Sequence, residues 1–276
     1  MTLMSKKRPK SPVRKGRKRK KRKKIEISIW IIASVIASLT AFILWPYITD
    51  RSSAEKGAAV PEGIYRYGLD ISHYQERIVW DSLMVLTDGA RRTTRSKTNA
   101  KDIRPISFVF IKATEGASMK DKDFRKHWKA AGERNIPKGA YHFFRSSKSG
   151  AVQARHFIKT AGELSRNDLP PVLDIETIHT GCSIRTLNDR ALEWLEIVSF
   201  HYGRKPIVYS SASFIENILC DEIKENYPIW VAHYGKDRPE CQKWHIWQFT
   251  DKAIIYGIDG FCDLNVCPAG YLESLK

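Results

Sequence analysis

The chain has 276 residues, 42% of them hydrophobic and 28% charged, with a formal net charge of +17. That length holds one large α/β domain or two small ones. Fourteen of the Lys and Arg fall in residues 1–24 without an acid among them, so the rest of the chain carries only +3, which excludes a strongly basic, nucleic-acid-coating body.

Residues 1–24 read as a basic tail. The stretch 27–47, ISIWIIASVIASLTAFILWPY, contains no charge. At 1.5 Å per residue, roughly 20 apolar residues span a bilayer core, and Trp30, Trp45 and Tyr47 sit where aromatic rings favour the interface. The expectation is a transmembrane helix over 25–48. The positive-inside rule puts the tail in the cytoplasm and the following domain on the periplasmic or extracellular side of a single-pass protein. A cleavable signal peptide fits less well, because the apolar run is longer than the usual h-region and no A-x-A site follows directly. Small and polar residues with Pro61 and two glycines make 49–65 a linker, and the folded domain runs over 66–276.

Within that domain the strands come in order. Tyr67-Gly68-Leu69-Asp70-Ile71-Ser72 is the first, with a short helix from Val79 to Leu83 after it. Thr87 to Arg104, rich in Arg, Lys, Thr and Ser without apolar periodicity, reads as an exposed insertion. Ile106 to Lys112 is an apolar second strand ending in Ala113-Thr114-Glu115-Gly116. Asp123 to Arg134 shows helical spacing. Lys138 to Phe144 is a strand, Gly150 to Leu164 a helix, and Pro170-Pro171-Val172-Leu173-Asp174-Ile175-Glu176 the fourth strand. After a helix over Leu187 to Tyr202, four strands follow with short, mostly non-helical connections: 206–210, 228–232, 245–249 and 258–265. Strand–helix alternation predicts a parallel sheet. Eight strands can close into a barrel with its site at the strands' C-terminal ends.

Those ends carry the chemistry. Asp174 and Glu176 are two apart on a strand and share a face. Two acids in a poorly solvated place cannot both ionise cheaply, which suits a proton donor beside a charged partner. Asp70 ends strand one, Lys112 and Glu115 strand two, Tyr141 strand three, Tyr209 strand five, Trp230 strand six, Gln248 strand seven and Asp263 strand eight. Asp70 and Asp263 meet if strands one and eight are neighbours. Four acids with aromatic and hydrogen-bonding side chains suit glycosidic bond cleavage. Neither a Ser/His nucleophile nor a metal cluster is present in the pattern, and no cofactor is called for. Adjacent parity sends His142 and Trp247 outward as packing residues, and Trp80 and Trp128 read as core. The cysteines begin only at Cys182. In an exported domain Cys182–Cys220 and a bridge from Cys241 to Cys262 or Cys267 are expected.

The ordered set Gly68-Leu69-Asp70-Ile71-Ser72, Phe110-Ile111-Lys112-Ala113-Thr114-Glu115-Gly116, Gly139-Ala140-Tyr141-His142-Phe143, Asp174-Ile175-Glu176, Trp247-Gln248 and Asp263-Leu264-Asn265 resembles glycoside hydrolase family 25, the Chalaropsis-type lysozymes or N-acetylmuramidases. The resemblance covers Arg66 to the C-terminus. It implies an α/β fold, a flattened (β/α)5(β)3 TIM-like barrel, here preceded by the transmembrane helix. It implies cleavage of the β-1,4 bond between N-acetylmuramic acid and N-acetylglucosamine, with peptidoglycan glycan strands as the partner and no nucleic acid. Carried over by position, Glu176 is the general acid, Asp174 acts on the substrate's acetamido group, and Asp70 and Asp263 are the other cleft acids. Tyr141, Lys112, Glu115, Tyr209, Trp230 and Gln248 line the substrate site. A retaining, substrate-assisted route and an inverting route with Asp70 or Asp263 as base both stay open. The competing reading is a membrane-anchored module that binds peptidoglycan without cutting it.

Overall fold

Phe108 and Phe110 lie on one face of their strand and Val109 and Ile111 on the other, yet all four are buried. A strand covered on both faces sits between two layers. The computed structural model describes Thr40 and residues 57–275, and it shows what those layers are. The strands are β1 (Tyr65–Ile71), β2 (Met84–Thr87), β3 (Asp102–Glu115), β4 (Met119–Lys120), β5 (Lys138–Phe143), β6 (Val172–Asp174), β7 (Ile207–Ser211), β8 (Ile229–Ala232), β9 (Ile246–Ala253) and β10 (Cys262–Pro268). Eight of them close into a barrel in the order β1-β3-β5-β6-β7-β8-β9-β10, with β10 returning to β1. Phe108, Phe110, Val172, Ile207, Tyr209, Trp230 and Ile246 fill its interior. Leu69, Val109, Ile111, Leu173, Val208 and Trp247 point outward into a second core.

That second core is capped by helices: α1 (Phe124–Glu133), α2 (Gly150–Ala161), α3 (Ile184–Tyr202), α4 (Ala212–Asn217), α5 (Asp221–Asn226) and α6 (Tyr271–Ser274). The hydroxyls of Ser149 and Ser183 accept the backbone N–H of Val152 and Thr186, which satisfies donors that a helix start leaves open. Gly203, with φ 66°, ends α3 in the left-handed conformation. Trp194 on α3 and Phe157 on α2 fill the layer against the barrel. His142 stacks on Trp194 with ring centroids 5.6 Å apart. It is tied to Thr114 and Gln153, and burial pulls its imidazole down to about 3. It is a packing residue, as is Trp247, whose indole N–H donates to the His233 carbonyl at 2.8 Å. Trp80 and Trp128 lie at the edge of this core, partly buried.

The architecture corrects the expected (β/α)5(β)3 TIM-like barrel preceded by a transmembrane helix. A TIM barrel is parallel throughout with a helix after each strand. Here β10 runs antiparallel to both β9 and β1, and the result is a closed eight-stranded β-barrel with few helices. The connection 254–261 is shorter than the dozen or so residues a parallel crossover needs, so β9 and β10 can only meet head to tail. Between β1 and β3 stand a one-turn 3-10 helix at Trp80–Ser82 and strand β2.

Residues 87–104 are not a simple exposed loop. β2 pairs antiparallel with the start of β3, Met84 opposite Pro105 and Thr87 opposite Asp102. The Thr93 hydroxyl accepts the N–H of Ile254, and the Arg95 guanidinium reaches the Ile258 carbonyl. The transmembrane helix expected over 25–48 lies outside the described residues. Among the described residues no helix is long and apolar enough to cross a membrane, so the single-pass placement, and with it the periplasmic or extracellular side and the membrane as partner, is not retained. The expected disulfides are also corrected: all five cysteines are free. Cys267 lies in the barrel interior, whereas Cys241 and Cys262 belong to the outer core, so the wall separates Cys241 from Cys267. Cys182 instead reaches the Ser146 carbonyl.

Candidate active site

Strand register gathers polar side chains at one mouth of the barrel. Lys112 stands opposite Tyr141, Asp174 opposite Tyr209, Gln248 opposite Asn265, and Asp70 opposite Asp263. Because β10 is antiparallel, Asp263 comes to this mouth from near the start of its strand, while Asp70 arrives near the end of β1.

Two acid pairs result. Gln248 donates its amide N–H to both oxygens of Asp70 at 3.0 Å, and Asn265 donates to one of them at 2.6 Å. Burial raises the Asp70 carboxyl, but these donors favour its charged form. Asp263 has no comparable set of donors. Burial and the neighbouring charge of Asp70 push it up to about 9. The negative charge of this pair therefore sits on Asp70 and a proton on Asp263. The Gln248 amide is fixed by its neighbours: its oxygen accepts the hydroxyls of Tyr209, at 2.7 Å, and Tyr234. Its NH2 must then face Asp70.

The second pair is Asp174 and Glu176. Asp174 is 6% exposed, and burial, followed by the charge of Glu176 and a hydrogen bond between the two, raises its carboxyl well above the usual range. Its Oδ1 is buried with no hydrogen-bond partner. Glu176, beyond the end of β6, is exposed. Tyr141 stands among the acids: burial and then the charges of Asp70, Asp174 and Asp263 raise its phenol.

Lys112 and Glu115 are joined at 2.8 Å. Burial works to raise Glu115, but its bonds to Lys112 and Arg145 outweigh that and hold the carboxyl below the usual range. Tyr209 and Trp230 lie lower, as the floor of the site. Trp230 is 2% exposed, packs on Phe110 and Tyr209, and donates its indole N–H to Asn265 at 2.8 Å. It therefore orients the amide that holds Asp70 and does not present a ring to solvent.

The sequence reading assigned no role to several side chains here. Asn265 stands two residues from Asp263, and strand parity could have found it. Tyr234, Arg145 and His179 sit beyond strand ends, where no periodicity points inward. Arg145 donates to Nε2 of His179 at 2.9 Å, while the Ser146 hydroxyl meets Nδ1 at 3.0 Å and the His179 N–H at 2.8 Å. Those bonds tie the segment following Glu176 to the end of β5. His73 and Asp121 form another pair at 2.7 Å. Among the described residues, no group of three or more His, Cys, Asp or Glu could hold a metal ion.

Comparison with known proteins agrees with this arrangement. Residues 69–258 match the family described as Glycosyl hydrolases family 25. The protein YegX of Escherichia coli K12 is 37% identical over 219 residues, covering 79% of this chain and 74% of that protein. Lysozyme M1 of Streptomyces globisporus is 31% identical over 212 residues, covering 72% of this chain and 66% of that one. The crystal structure of a bacterial lysozyme from Streptomyces coelicolor superposes with a TM-score of 0.64 at 29% identity, over 78% of this chain and 97% of that chain. The chain therefore belongs to glycosyl hydrolases family 25, as a glycoside hydrolase of the lysozyme and muramidase kind.

Proposed function

We propose that the protein cleaves the β-1,4 bond between N-acetylmuramic acid and N-acetylglucosamine in peptidoglycan, with Glu176 as general acid and Asp174 acting on the substrate's acetamido group. The observation that carries this reading is the unpartnered, buried Oδ1 of Asp174 beside an exposed Glu176. A buried acceptor without a donor costs about 1–3 kcal/mol. An acetamido N–H from the substrate supplies that donor.

Proton placement follows from the same contact. Without substrate, burial and the Glu176 charge keep Asp174 protonated. An N–H donated to Asp174 favours its ionised form, so binding moves the shared proton to Glu176, which faces the leaving group. The acetamido oxygen then attacks the anomeric carbon as the bond to the leaving sugar oxygen breaks. Glu176 gives that oxygen its proton, and the Asp174 carboxylate stabilises the cationic ring intermediate. Water opens the intermediate and returns a proton to Glu176. This substrate-assisted path is a recognised exception to the two-carboxylate scheme. Water attack through Asp70 or Asp263 is less well supported: Asp263 holds its proton to about 9, and Asp70 is occupied by Gln248 and Asn265.

Glu176→Gln should lower the rate on purified peptidoglycan by roughly 10²–10⁴, read by mass spectrometry as loss of fragments with reducing-end muramic acid. A variant as fast as the native enzyme rejects Glu176 as the acid. Retention of anomeric configuration in the first product, seen by NMR, supports the acetamido route, and inversion rejects it.

A further inference from the structure

The acids at the barrel mouth do not end the concave surface. A groove of about 1030 Å3 runs away from them, at the upper end of the roughly 300–1,000 Å3 usual for ligand sites. Its walls include Glu62 ahead of β1, Arg92 in the β2–β3 hairpin, Tyr234 and Asp237 after β8, and Asp251 and Lys252 on β9. Two contacts join it to the site. The Tyr234 hydroxyl binds Gln248, which holds Asp70. Asp251 lies close enough for its charge to help raise Asp263.

The groove is built by parts of the chain outside the barrel, and they are fixed in place. Thr93 N–H donates to the Ala58 carbonyl at 2.9 Å, the Arg92 guanidinium to the Gly57 carbonyl at 3.1 Å, and Ile254 N–H to the Thr93 hydroxyl at 2.9 Å. A wall ordered before the ligand arrives lowers the entropy cost of binding. Within the walls Glu62 is paired with Arg91 and Lys236 with Glu240. The carboxylates of Asp237 and Asp251 and the ammonium of Lys252 have no ion pair or hydrogen bond.

Uncharged sugar rings need hydrogen bonds and an aromatic face. They do not need two free carboxylates and a free ammonium along one groove. A short peptide bearing both carboxylates and an amine does. In peptidoglycan such a peptide hangs from the lactyl group of muramic acid, next to the bond that is cut. We propose that this groove binds the stem peptide of the strand lying across Asp174 and Glu176, so that the enzyme discriminates in favour of peptide-bearing glycan. This inference rests on the muramidase reading above.

The test uses the full chain and one peptidoglycan in two forms, intact and stripped of stem peptides by an amidase. The expected result is a kcat/KM at least about tenfold higher on the intact form. Lys252→Glu and Asp237→Lys should each bring the two values together, mainly by raising KM on the intact form. Both side chains are at the surface, so neither change removes packing. A synthetic stem tetrapeptide should bind the Glu176→Gln protein, seen as NMR shift changes, and binding should weaken when Lys252→Glu is added. Equal kcat/KM on the two forms, or variants that keep the native ratio, overturns the groove assignment while the muramidase reading stands. Absence of reducing-end muramic acid from both forms overturns the two readings together.

Discussion

Asp263 shows how one side chain records its surroundings in the pH dependence of the whole fold. In the unfolded chain its carboxyl ionises near pH 4, whereas in the barrel it keeps its proton to about 9. Between those values the unfolded state has released a proton that the folded state retains. Stability contributed at Asp263 is therefore present below about pH 4, falls as the pH rises through the window, and is flat above it. Asp263→Asn removes that dependence. The variant should gain on the native protein progressively from pH 4 to 9, measured as the urea midpoint at each pH. Midpoints that run parallel across the window would show that Asp263 ionises normally. The same local contrast separates Asp70 from Asp263: residue type is identical, and the amides of Gln248 and Asn265 decide which of them carries the charge.

At the scale of elements, the approach of α2 to α3 is set by one missing side chain. A Cβ at Gly150 would come within 2.0 Å of the Arg190 carbonyl oxygen. That neighbour is backbone and cannot swing aside. The N–H of Ala151 donates to the Glu193 carboxylate at 2.9 Å across the same contact. Gly150→Ala should force the helices apart and loosen the layer around Phe157 and Trp194. The expected loss is about 1–3 kcal/mol, the usual cost of overpacking, read from chemical denaturation. An unchanged midpoint would mean that the helix pair adjusts freely. Because Ser146 and Arg145 lie just before α2 and bind His179, the packing of this element also bears on the segment that follows Glu176.

Across the described molecule, cohesion comes from two apolar layers, one inside the barrel and one between its wall and the helices. No covalent cross-link is involved, since all five thiols are free. Thermal unfolding should therefore give the same Tm with and without a reductant such as dithiothreitol. A removed native disulfide typically costs about 2–5 kcal/mol, so a Tm several degrees lower under reduction would show a bridge. The site belongs to the barrel as a whole: Asp70, Lys112, Tyr141, Asp174, Tyr209, Gln248 and Asp263 lie far apart in sequence and meet only because the sheet closes.

By itself, the sequence determined the strands with strong apolar runs, the outward parity of His142 and Trp247, and the identity of the acids at strand ends. These follow from local periodicity, which the chain expresses wherever it folds. The family was legible for the same reason, in short motifs that keep their order. The antiparallel return of β10, the free cysteines and the ordered β2–β3 hairpin were decided by tertiary structure. Each depends on what a segment meets across the barrel wall, and no spacing along the chain encodes that. Proton placement belongs there too: Asp174 and Glu176 are neighbours on one short segment, yet burial takes one out of water and leaves the other exposed.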